Sequence, residues 1–381
     1  MLKKIIYLFL SWRILLFIPL FLGHVFVPFR HGYPYASPLY FLSDKHSLIS
    51  NFLLSPWANF DGVYYLLIAA KGYTVNAGFF PLFPLSLNFA TSIFGQILPF
   101  DPKQYFTALL LVGLYILIAL IVMYKLVRID YKESIVLSSI VFMLLFPTSF
   151  FFATIYSESL FLLLSICAFY FARKKRWILA SLCGALLTAT RFVGIAILPA
   201  LTYEFIKEER TLFKAKSLNL LLVPLGILSY MWLNLQKWGN TFYFIQAQGH
   251  FENNRSITTP IFIPQTIYRY IKILTRVSPS HFEWWIAILE ISTFIFVVVM
   301  LFVAWKKRLR PSYILFAFIC FLIPISSGTF SGLPRYSLVL FPIFIALALI
   351  KNKVTKILYT VISFILLFIL FTLFSKGYFI A

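Results

Sequence analysis

Charged residues are scarce in this sequence, and acidic residues are the scarcest. Only 12 of the 381 residues are Asp or Glu, against 33 Lys and Arg, and charged residues make up 12% of the chain. Soluble domains carry about twice that share of charge. Hydrophobic residues reach 61%, which is more apolar surface than a water-soluble fold of this length can bury. We therefore exclude a soluble enzyme and expect an all-α integral membrane protein.

Cysteine is also scarce, and the motifs of metal and nucleotide sites are missing. The three cysteines, Cys167, Cys183 and Cys320, lie in apolar segments without a paired spacing, so the sequence predicts neither a disulfide framework nor a zinc knuckle. It contains no P-loop, no G-x-G-x-x-G, no G-x-S-x-G and no histidine pair with zinc-ligand spacing. No stretch is polar enough to form the soluble domain that a cytosolic nucleotide-sugar site would need.

Long apolar runs fill most of the chain. A helix that crosses about 30 Å of hydrocarbon needs about 20 residues, because it rises 1.5 Å per residue. We expect about eleven transmembrane helices in one domain that covers residues 1–381. The predicted spans are Ile5–Val27, Tyr105–Tyr124, Ser134–Phe152, Ser157–Ala172, Trp177–Thr190, Phe192–Ile206, Ser217–Lys237, Trp284–Trp305, Tyr313–Ser326, Tyr336–Ile350 and Val354–Phe374.

The basic residues predict the topology. The net charge of +21 comes from short clusters between apolar runs, such as residues 173–176 and 306–310. Connectors of this kind face the cytoplasm, so we do not expect nucleic acid as a partner. With Lys3 and Lys4 inside, the first run is predicted to be an uncleaved signal anchor. It delivers residues 28–103 to the exterior as a first loop, and residues 238–282 form a second exterior loop.

Two segments do not fit a simple crossing. Residues 78–100 are apolar, but counting them as a span would place every later basic cluster outside. Their prolines also favour a broken helix at the interface, which is the interpretation we prefer. Residues 177–206 lie between two basic clusters that should share a side. We expect two short helices that meet at Thr190 and Arg191 near the outer leaflet; the alternative is one long tilted helix.

Most of the acidic residues have an ordinary explanation. Five of them lie beside Lys or Arg on the predicted cytoplasmic side, where we expect solvated ion pairs: Asp130, Glu133, Glu204, Glu208 and Glu209. Glu290 falls within an apolar run near its exterior end. Asp61 and Glu158 stand apart from the rest.

Asp61 begins a predicted interfacial helix in the first exterior loop. At helical spacing it shares a face with Tyr64, Tyr65 and Ile68. A carboxylate at this position is stabilised by the free N–H groups of the helix start. It is either a plain helix cap or the one carboxylate placed where an exterior cleft meets the bilayer.

Glu158 lies between strongly apolar sequences. A carboxylate near hydrocarbon is costly unless it is paired or faces a cavity, so Glu158 is a functional candidate; a cap of the next helix is the alternative. Arg191 and Arg335 are each predicted to reach the exterior interface. Two guanidiniums and two carboxylates on one face would suit a lipid that carries a phosphate.

Four motifs in sequence order carry a resemblance to a known family. Together they are similar to the PIG-V type family, GPI mannosyltransferase II and its prokaryotic relatives. The motifs are W-A-N-F-D-G-V-Y-Y-L-L-I-A-A-K-G-Y with F-F-P-L-F-P-L (Trp57 to Leu85), Y-S-E-S-L-F-L-L-L-S (Tyr156 to Ser165), G-A-L-L-T-A-T-R (Gly184 to Arg191) and P-R-Y-S-L-V-L-F-P (Pro334 to Pro342).

The resemblance implies a GT-C-like helical bundle with an acidic residue in its first exterior loop. It implies Asp61 and Glu158 as the catalytic carboxylates and Arg191, Arg335 and Tyr336 near the donor phosphate. Five aromatic residues of the motifs are expected to line the site: Trp57, Tyr64, Tyr65, Tyr73 and Tyr156.

The implied reaction is an inverting transfer of mannose, or a related hexose, on the extracytoplasmic side. The donor would be a dolichyl or undecaprenyl phosphate sugar, and the acceptor a lipid- or glycan-linked hydroxyl. Membrane lipids are the remaining partner, in the cell membrane of a prokaryote or the ER membrane of a eukaryote. A divalent metal, Mg²⁺ or Mn²⁺, is compatible with this chemistry, but no ligand cluster demands one, and no other cofactor is implied.

The motifs depart from the eukaryotic pattern in two places. Ala58, Asn59 and Phe60 separate Trp57 from the aspartate, where the eukaryotic enzymes usually have the two adjacent. Tyr64 stands where those enzymes have a histidine. A GPI precursor is therefore not implied as the acceptor. The alternative function is a lipid or anion transporter, although the sequence shows no convincing internal repeat.

Overall fold

The chain folds almost entirely into helices. The computed structural model describes residues 2–32, 55–74, 77–95, 98–212, 214–250, 256 and 259–380, and no strand occurs in these ranges. The α-helices of these ranges are α1 (Leu2–Leu15), α2 (Phe17–Phe26), α3 (Asp61–Lys71), α4 (Leu82–Ser92), α5 (Pro102–Val127), α6 (Glu133–Leu144), α7 (Glu158–Arg173), α8 (Trp177–Thr188), α9 (Ile197–Glu209), α10 (Leu225–Trp238), α11 (Tyr243–Gln246), α12 (Ile263–Arg276), α13 (Phe282–Lys306), α14 (Pro311–Ile325), α15 (Leu333–Leu338), α16 (Phe341–Ala348) and α17 (Lys353–Ser375). Short 3₁₀ helices cover Ser55–Ala58, Ser149–Phe152, Phe192–Ala196, Ala215–Leu222 and Ala247–His250.

Within the described ranges, five helical segments are long and apolar enough to cross a membrane. Each keeps only about a third or less of its most apolar stretch buried inside the protein, so the rest of its surface is left for lipid. The prediction of an all-α integral membrane protein is thereby confirmed. The five segments are Leu2–Phe26, Pro102–Val127, Ala215–Trp238, Phe282–Lys306 and Lys353–Ser375.

Other predicted spans are interrupted rather than continuous. The helix predicted over residues 134–152 ends at Leu144, and a turn at Pro147 precedes a separate 3₁₀ helix. The span predicted over 336–350 is divided between α15 and α16, with a break before Pro342. Proline removes a backbone donor and clashes with the preceding turn, which accounts for both breaks. The number of eleven transmembrane helices is therefore not confirmed.

The two irregular segments are short helices, as the charge pattern predicts. Within residues 78–100 the helix α4 has 11 residues, or roughly 16 Å at 1.5 Å per residue, which is about half of a crossing. Between residues 177 and 206, α8 ends at Thr188 and a new 3₁₀ helix starts at Phe192. The predicted break near Arg191 is therefore present. The first exterior loop, predicted over 28–103, lies partly outside the described residues.

A glycine allows two of these helices to pack closely. A Cβ atom on Gly226 of α10 would lie 1.9 Å from the carbonyl oxygen of Ala185 on α8. The Thr188 hydroxyl donates to the carbonyl of Val223 at 2.8 Å across the same contact. Small residues and hydroxyl groups commonly hold helices together in lipid, where apolar surfaces alone provide little attraction.

An ion-pair cluster, which we call the Arg173 cluster, joins α7, α9 and α14 at the end of the bundle where α7 terminates. Arg310 donates from Nε to both carboxylate oxygens of Glu204, at 2.8 and 2.9 Å, and from Nη2 to Glu208 at 2.6 Å. Arg173 donates to both oxygens of Asp130 at 2.5 and 2.8 Å. The prediction that Glu204 is solvated is wrong, because its side chain is 0% exposed. The sequence placed it beside basic residues but could not show that α14 covers it.

We predict that Glu204→Gln destabilises the protein. Removing one partner of a buried ion pair leaves an uncompensated charge, which costs roughly 3–5 kcal/mol. The apparent melting temperature of the purified protein in detergent should therefore fall clearly. Glu133→Gln is the matched control, because Glu133 pairs with Lys4 at the surface and exposed pairs contribute about 1 kcal/mol or less. Equal melting temperatures for the two variants would contradict a stabilising role for the cluster.

Candidate active site

Asp61 is the first residue of α3, and the chain turns sharply to place it there. Phe60, which precedes it, has a φ of +54°, a conformation that is costly for a bulky residue and is tolerated when the surroundings enforce it. The Phe60 ring packs against Phe374 and Phe379, with ring centroids 5.6 and 5.2 Å apart. Phe60 occupies the N-cap position of α3. Asp61 is therefore not itself the helix cap, which was the alternative explanation from the sequence.

The segment that carries Asp61 is tied to the turn that precedes Glu158. The amide of Ile155 donates to the carbonyl of Trp57 at 2.7 Å, and the hydroxyl of Tyr156 donates to the carbonyl of Asn59 at 2.8 Å. A side chain at Gly62 would meet the carbonyl of Ile155 at 3.4 Å. The start of α3 and the start of α7 are thus fixed against each other, and their carboxylates share one region.

Arg335 connects the two carboxylates. Its Nη1 donates to Oδ2 of Asp61 at 2.6 Å, and its Nε lies 3.4 Å from Oε1 of Glu158. The short helix α15 that carries Arg335 is held from the other side, where the hydroxyl of Thr148 donates to the carbonyl of Pro334 at 2.8 Å. The guanidinium therefore links segments that are far apart in sequence.

Arg191 completes the cluster from the break between α8 and α9. Its Nη1 donates to Oε1 of Glu158, the same oxygen that Arg335 approaches. The ring of Tyr336 lies 4.9 Å from the Arg191 guanidinium and 5.3 Å from that of Arg335. The electron-rich face of an aromatic ring attracts cations, so Tyr336 helps to hold two like charges near each other. We call Asp61, Glu158, Arg191, Arg335 and Tyr336 the charged site.

Exposure distinguishes the two carboxylates of the charged site. The side chain of Glu158 is 1% exposed, whereas that of Asp61 is 22% exposed, and Arg335 and Arg191 are 9% and 15% exposed. Oε2 of Glu158 and Nε of Arg335 have no hydrogen-bond partner among the described residues. Asp61 is therefore the more accessible carboxylate of the charged site, and Glu158 lies beneath the arginines.

Aromatic residues of α3 pack behind the charged site. Tyr64 stacks on Phe79 with ring centroids 5.0 Å apart, and Tyr65 meets Phe79 and Phe83 edge-on. Burial raises the pKa of Tyr65, and the negative charge of Glu158 raises it further. The phenol of Tyr65 therefore stays protonated at neutral pH. Its hydroxyl donates to the hydroxyl of Ser157 at 3.0 Å.

Two of the residues predicted to line the site lie further back. Trp57 is buried between the rings of Phe17 and Phe371. Tyr73 donates to the carbonyl of Phe79 at 2.7 Å, so it fixes the F-F-P segment. Tyr64, Tyr65 and Tyr156 lie nearer to the charges: the ring of Tyr156 is 5.4 Å from the Arg335 guanidinium, and the two α3 tyrosines sit on the helix that starts at Asp61.

Sequence reasoning missed the residues that position this cluster. The side-chain amide of Asn59 donates to the carbonyl of Phe374 at 2.9 Å, and Thr148 supports α15. Asn59 stands within the first motif, and its place two residues before Asp61 was the available signal. Thr148 carried no signal, because its partner lies 186 residues away.

The donor atoms of the charged site do not form a metal site as they stand. Among the described residues no group of three or more His, Cys, Asp or Glu side chains could hold a metal ion. The two carboxylates present are both engaged by arginines. We therefore derive no step through a metal.

Three solved structures match this chain at low sequence identity. The oligosaccharyltransferase of Archaeoglobus fulgidus, in a complex with zinc and sulfate, is 12% identical with a TM-score of 0.45 over 84% of this chain and 49% of that chain. The same enzyme tethered to an acceptor peptide with the NVT sequon is 10% identical, with a TM-score of 0.48 over 98% and 55%. ArnT from Cupriavidus metallidurans bound to undecaprenyl phosphate is 12% identical, with a TM-score of 0.40 over 82% and 72%. This chain spans about half the length of the oligosaccharyltransferase.

Sequence comparison identifies the family. Among curated proteins, none matches this chain at a significant level. The family described as mannosyltransferase (PIG-V) matches residues 2–253, a range that includes Asp61, Glu158 and Arg191. Arg335 lies beyond it and joins the charged site through the fold. The matched range contains the first three of the four motifs. The resemblance is confirmed, and the chain belongs to the mannosyltransferase (PIG-V) family.

Proposed function

We propose that this protein is a membrane glycosyltransferase that uses a polyprenyl-phosphate sugar. It transfers mannose, or a related hexose, to a hydroxyl group of a lipid- or glycan-linked acceptor on the extracytoplasmic side, with inversion. The observation that carries the proposal is the partly exposed carboxylate of Asp61 beside two guanidiniums that a buried glutamate holds in place. Membership of a mannosyltransferase family supports the choice of sugar.

Asp61 has the position that a general base needs. It is the more exposed carboxylate of the charged site, and it is the first residue of α3. In the proposed reaction it accepts the proton of the acceptor hydroxyl while that oxygen bonds to the anomeric carbon. The bond between the anomeric carbon and the phosphate oxygen breaks, and the polyprenyl phosphate leaves with the electron pair.

In this proposal the two arginines stabilise the negative charge of the phosphate leaving group. The charged site contains two negative and two positive side chains, so it is neutral before the donor binds. A phosphate brings negative charge that competes with Asp61 for Arg335, because a guanidinium binds carboxylate and phosphate with the same fork of donors. Donor binding would thus loosen the contact between Arg335 and Asp61 and leave the carboxylate free for the acceptor.

Glu158 positions the arginines in this proposal and does not touch the substrate. Its contacts with Arg191 and Arg335 converge on one oxygen, and its near-complete burial keeps it from the acceptor. A fixed negative charge beneath two guanidiniums offsets their mutual repulsion. Preorganised charges of this kind stabilise a transition state without reorganisation during the reaction.

We predict that Asp61→Asn abolishes most of the transfer activity. General base catalysis contributes about 10²–10⁴-fold, and an amide cannot accept the proton. The measurement is transfer of radiolabel from polyprenyl-phosphate mannose to a glycolipid in membranes that contain the protein. Asp101→Asn is the matched control, because Asp101 caps α5 and asparagine preserves a cap. Near-normal activity of Asp61→Asn would remove Asp61 from this role.

We predict that Arg335→Lys weakens the use of the donor. Lysine keeps the charge but loses the planar fork that joins Asp61 and Glu158, so kcat/KM for the donor should fall by about 10²-fold. Steady-state kinetics with varied donor concentration measure the effect. Arg30→Lys is the control, because Arg30 forms an exposed pair with Glu283. If both variants retain wild-type kcat/KM, the phosphate is not bound by Arg335.

The proposed orientation places the charged site outside and the Arg173 cluster inside. We expect a cysteine at the exposed position Lys71 to react with a membrane-impermeant thiol reagent in intact cells. A cysteine at Lys175, at the far end of α7, should react only after permeabilisation. The reverse pattern would place Asp61 on the cytoplasmic side and exclude an extracytoplasmic reaction.

A further inference from the structure

A groove lies on the bundle surface where α13 passes into α14. Its volume is about 680 Å³, within the range of roughly 300–1,000 Å³ that is typical of small-molecule sites. The groove is lined by residues of α9, of the end of α13, of the connecting turn and of α14: Tyr203, Trp305, Arg308, Ile314, Leu315 and Phe318. The groove is separate from the charged site. It lies near the start of α14, which is beside the Arg173 cluster. The 16 residues of α7 separate that cluster from Glu158 by roughly 24 Å.

The wall of the groove is apolar. Ile314, Leu315 and Phe318 project from one side of α14, and the side chain of Phe318 remains 48% exposed. An apolar concavity on the lipid-facing side of a membrane helix fits a hydrocarbon chain. The other helix faces that meet lipid in this protein carry exposed apolar residues too, so the wall alone does not identify an occupant.

The rim of the groove carries exposed basic side chains. Arg308 lines the groove and is exposed, and none of the described acidic side chains lies within ion-pair distance of it. Arg310, two residues further on, is engaged by Glu204 and Glu208. Lys306 also lies at this rim, with its ammonium group 5.0 Å from the ring of Trp305.

Two aromatic residues indicate at which depth in the membrane the rim of the groove lies. Trp305 and Tyr203 are 61% and 40% exposed, and both belong to the residue types that concentrate at the boundary between headgroups and hydrocarbon. The groove thus has a cationic rim at headgroup level and an apolar wall further along α14. The predicted topology turns this end of the bundle toward the cytoplasm, where membranes expose anionic lipids.

We propose that this groove binds one anionic diacyl phospholipid of the adjoining leaflet. The phosphate group of the lipid meets Arg308, with Lys306 nearby, and an acyl chain lies along Ile314, Leu315 and Phe318. Basic recesses between membrane helices recognise anionic headgroups through this combination of charge and apolar contact. The site does not depend on the proposed transfer reaction.

The test uses the full chain reconstituted in vesicles of phosphatidylcholine with a minority of phosphatidylglycerol. After mild extraction in detergent, native mass spectrometry counts the lipids that the protein retains. We expect the wild type to retain one phosphatidylglycerol in preference to phosphatidylcholine. Arg308→Gln should weaken this retention about fivefold, which corresponds to one surface charge acting on an anionic lipid, and Arg308→Lys should preserve most of it.

A matched variant separates a specific site from general attraction. Arg176 is exposed at the same end of the bundle but does not line the groove, so Arg176→Gln should retain phosphatidylglycerol as the wild type does. Equal losses in Arg308→Gln and Arg176→Gln would overturn the proposal. So would equal retention of the two phospholipids by the wild type.

Two chemical controls test the nature of the occupant. Glycerophosphoglycerol, which carries the headgroup without acyl chains, should fail to displace the retained lipid, because the apolar wall contributes to binding. Undecaprenyl phosphate added at the same concentration as phosphatidylglycerol should not displace it either. Displacement by the first probe would show a simple anion site, and displacement by the second would assign the groove to the carrier lipid. Either result overturns the proposal.

Discussion

The charged site depends on the position of one guanidinium. Arg335 contacts Asp61 and approaches Glu158, and it faces the rings of Phe151, Tyr156 and Tyr336 at 5.3 to 5.6 Å. Charge in an apolar interior is expensive unless every partner is in place. The segments around Arg335 are therefore constrained together, and a shift in any of them would expose or strand a charge.

The two ends of α7 carry clusters of opposite character. At its first residue, Glu158 lies beneath Arg191 and Arg335, and its Oε2 has no hydrogen-bond partner among the described residues. At its last residue, Arg173 belongs to a network in which Glu204 is fully enclosed and accepts hydrogen bonds from Arg310 and Ser312 on both carboxylate oxygens. The central carboxylate of the second cluster is therefore fully bonded, whereas that of the charged site keeps one oxygen without a partner.

The sequence predicted the features that depend on local chemistry. The length of the apolar runs predicted the five long spans. The positions of the basic residues predicted the short helix α4 and the break near Arg191, and the order of the four motifs indicated the family. It failed where burial depends on distant segments. Glu204 looked solvated because its neighbours in sequence are charged, and the continuity of residues 134–152 was overestimated because apolar content outweighed Pro147. The convergence of Asp61 with Arg335 followed from the resemblance. The supporting contact of Thr148 had no local signal, because its partner lies 186 residues away.

The great sequence separation within the charged site has a consequence for biosynthesis. Asp61 and Arg335 are 274 positions apart, and the contact between Asn59 and Phe374 spans 315 positions. During synthesis, the helices that carry Asp61 and Glu158 enter the membrane long before α15 and α17 leave the ribosome. Until then Glu158 has only Arg191 as a partner, and the first loop lacks its anchor on α17. The charged site can therefore be completed only after the last helices of the chain have been synthesised.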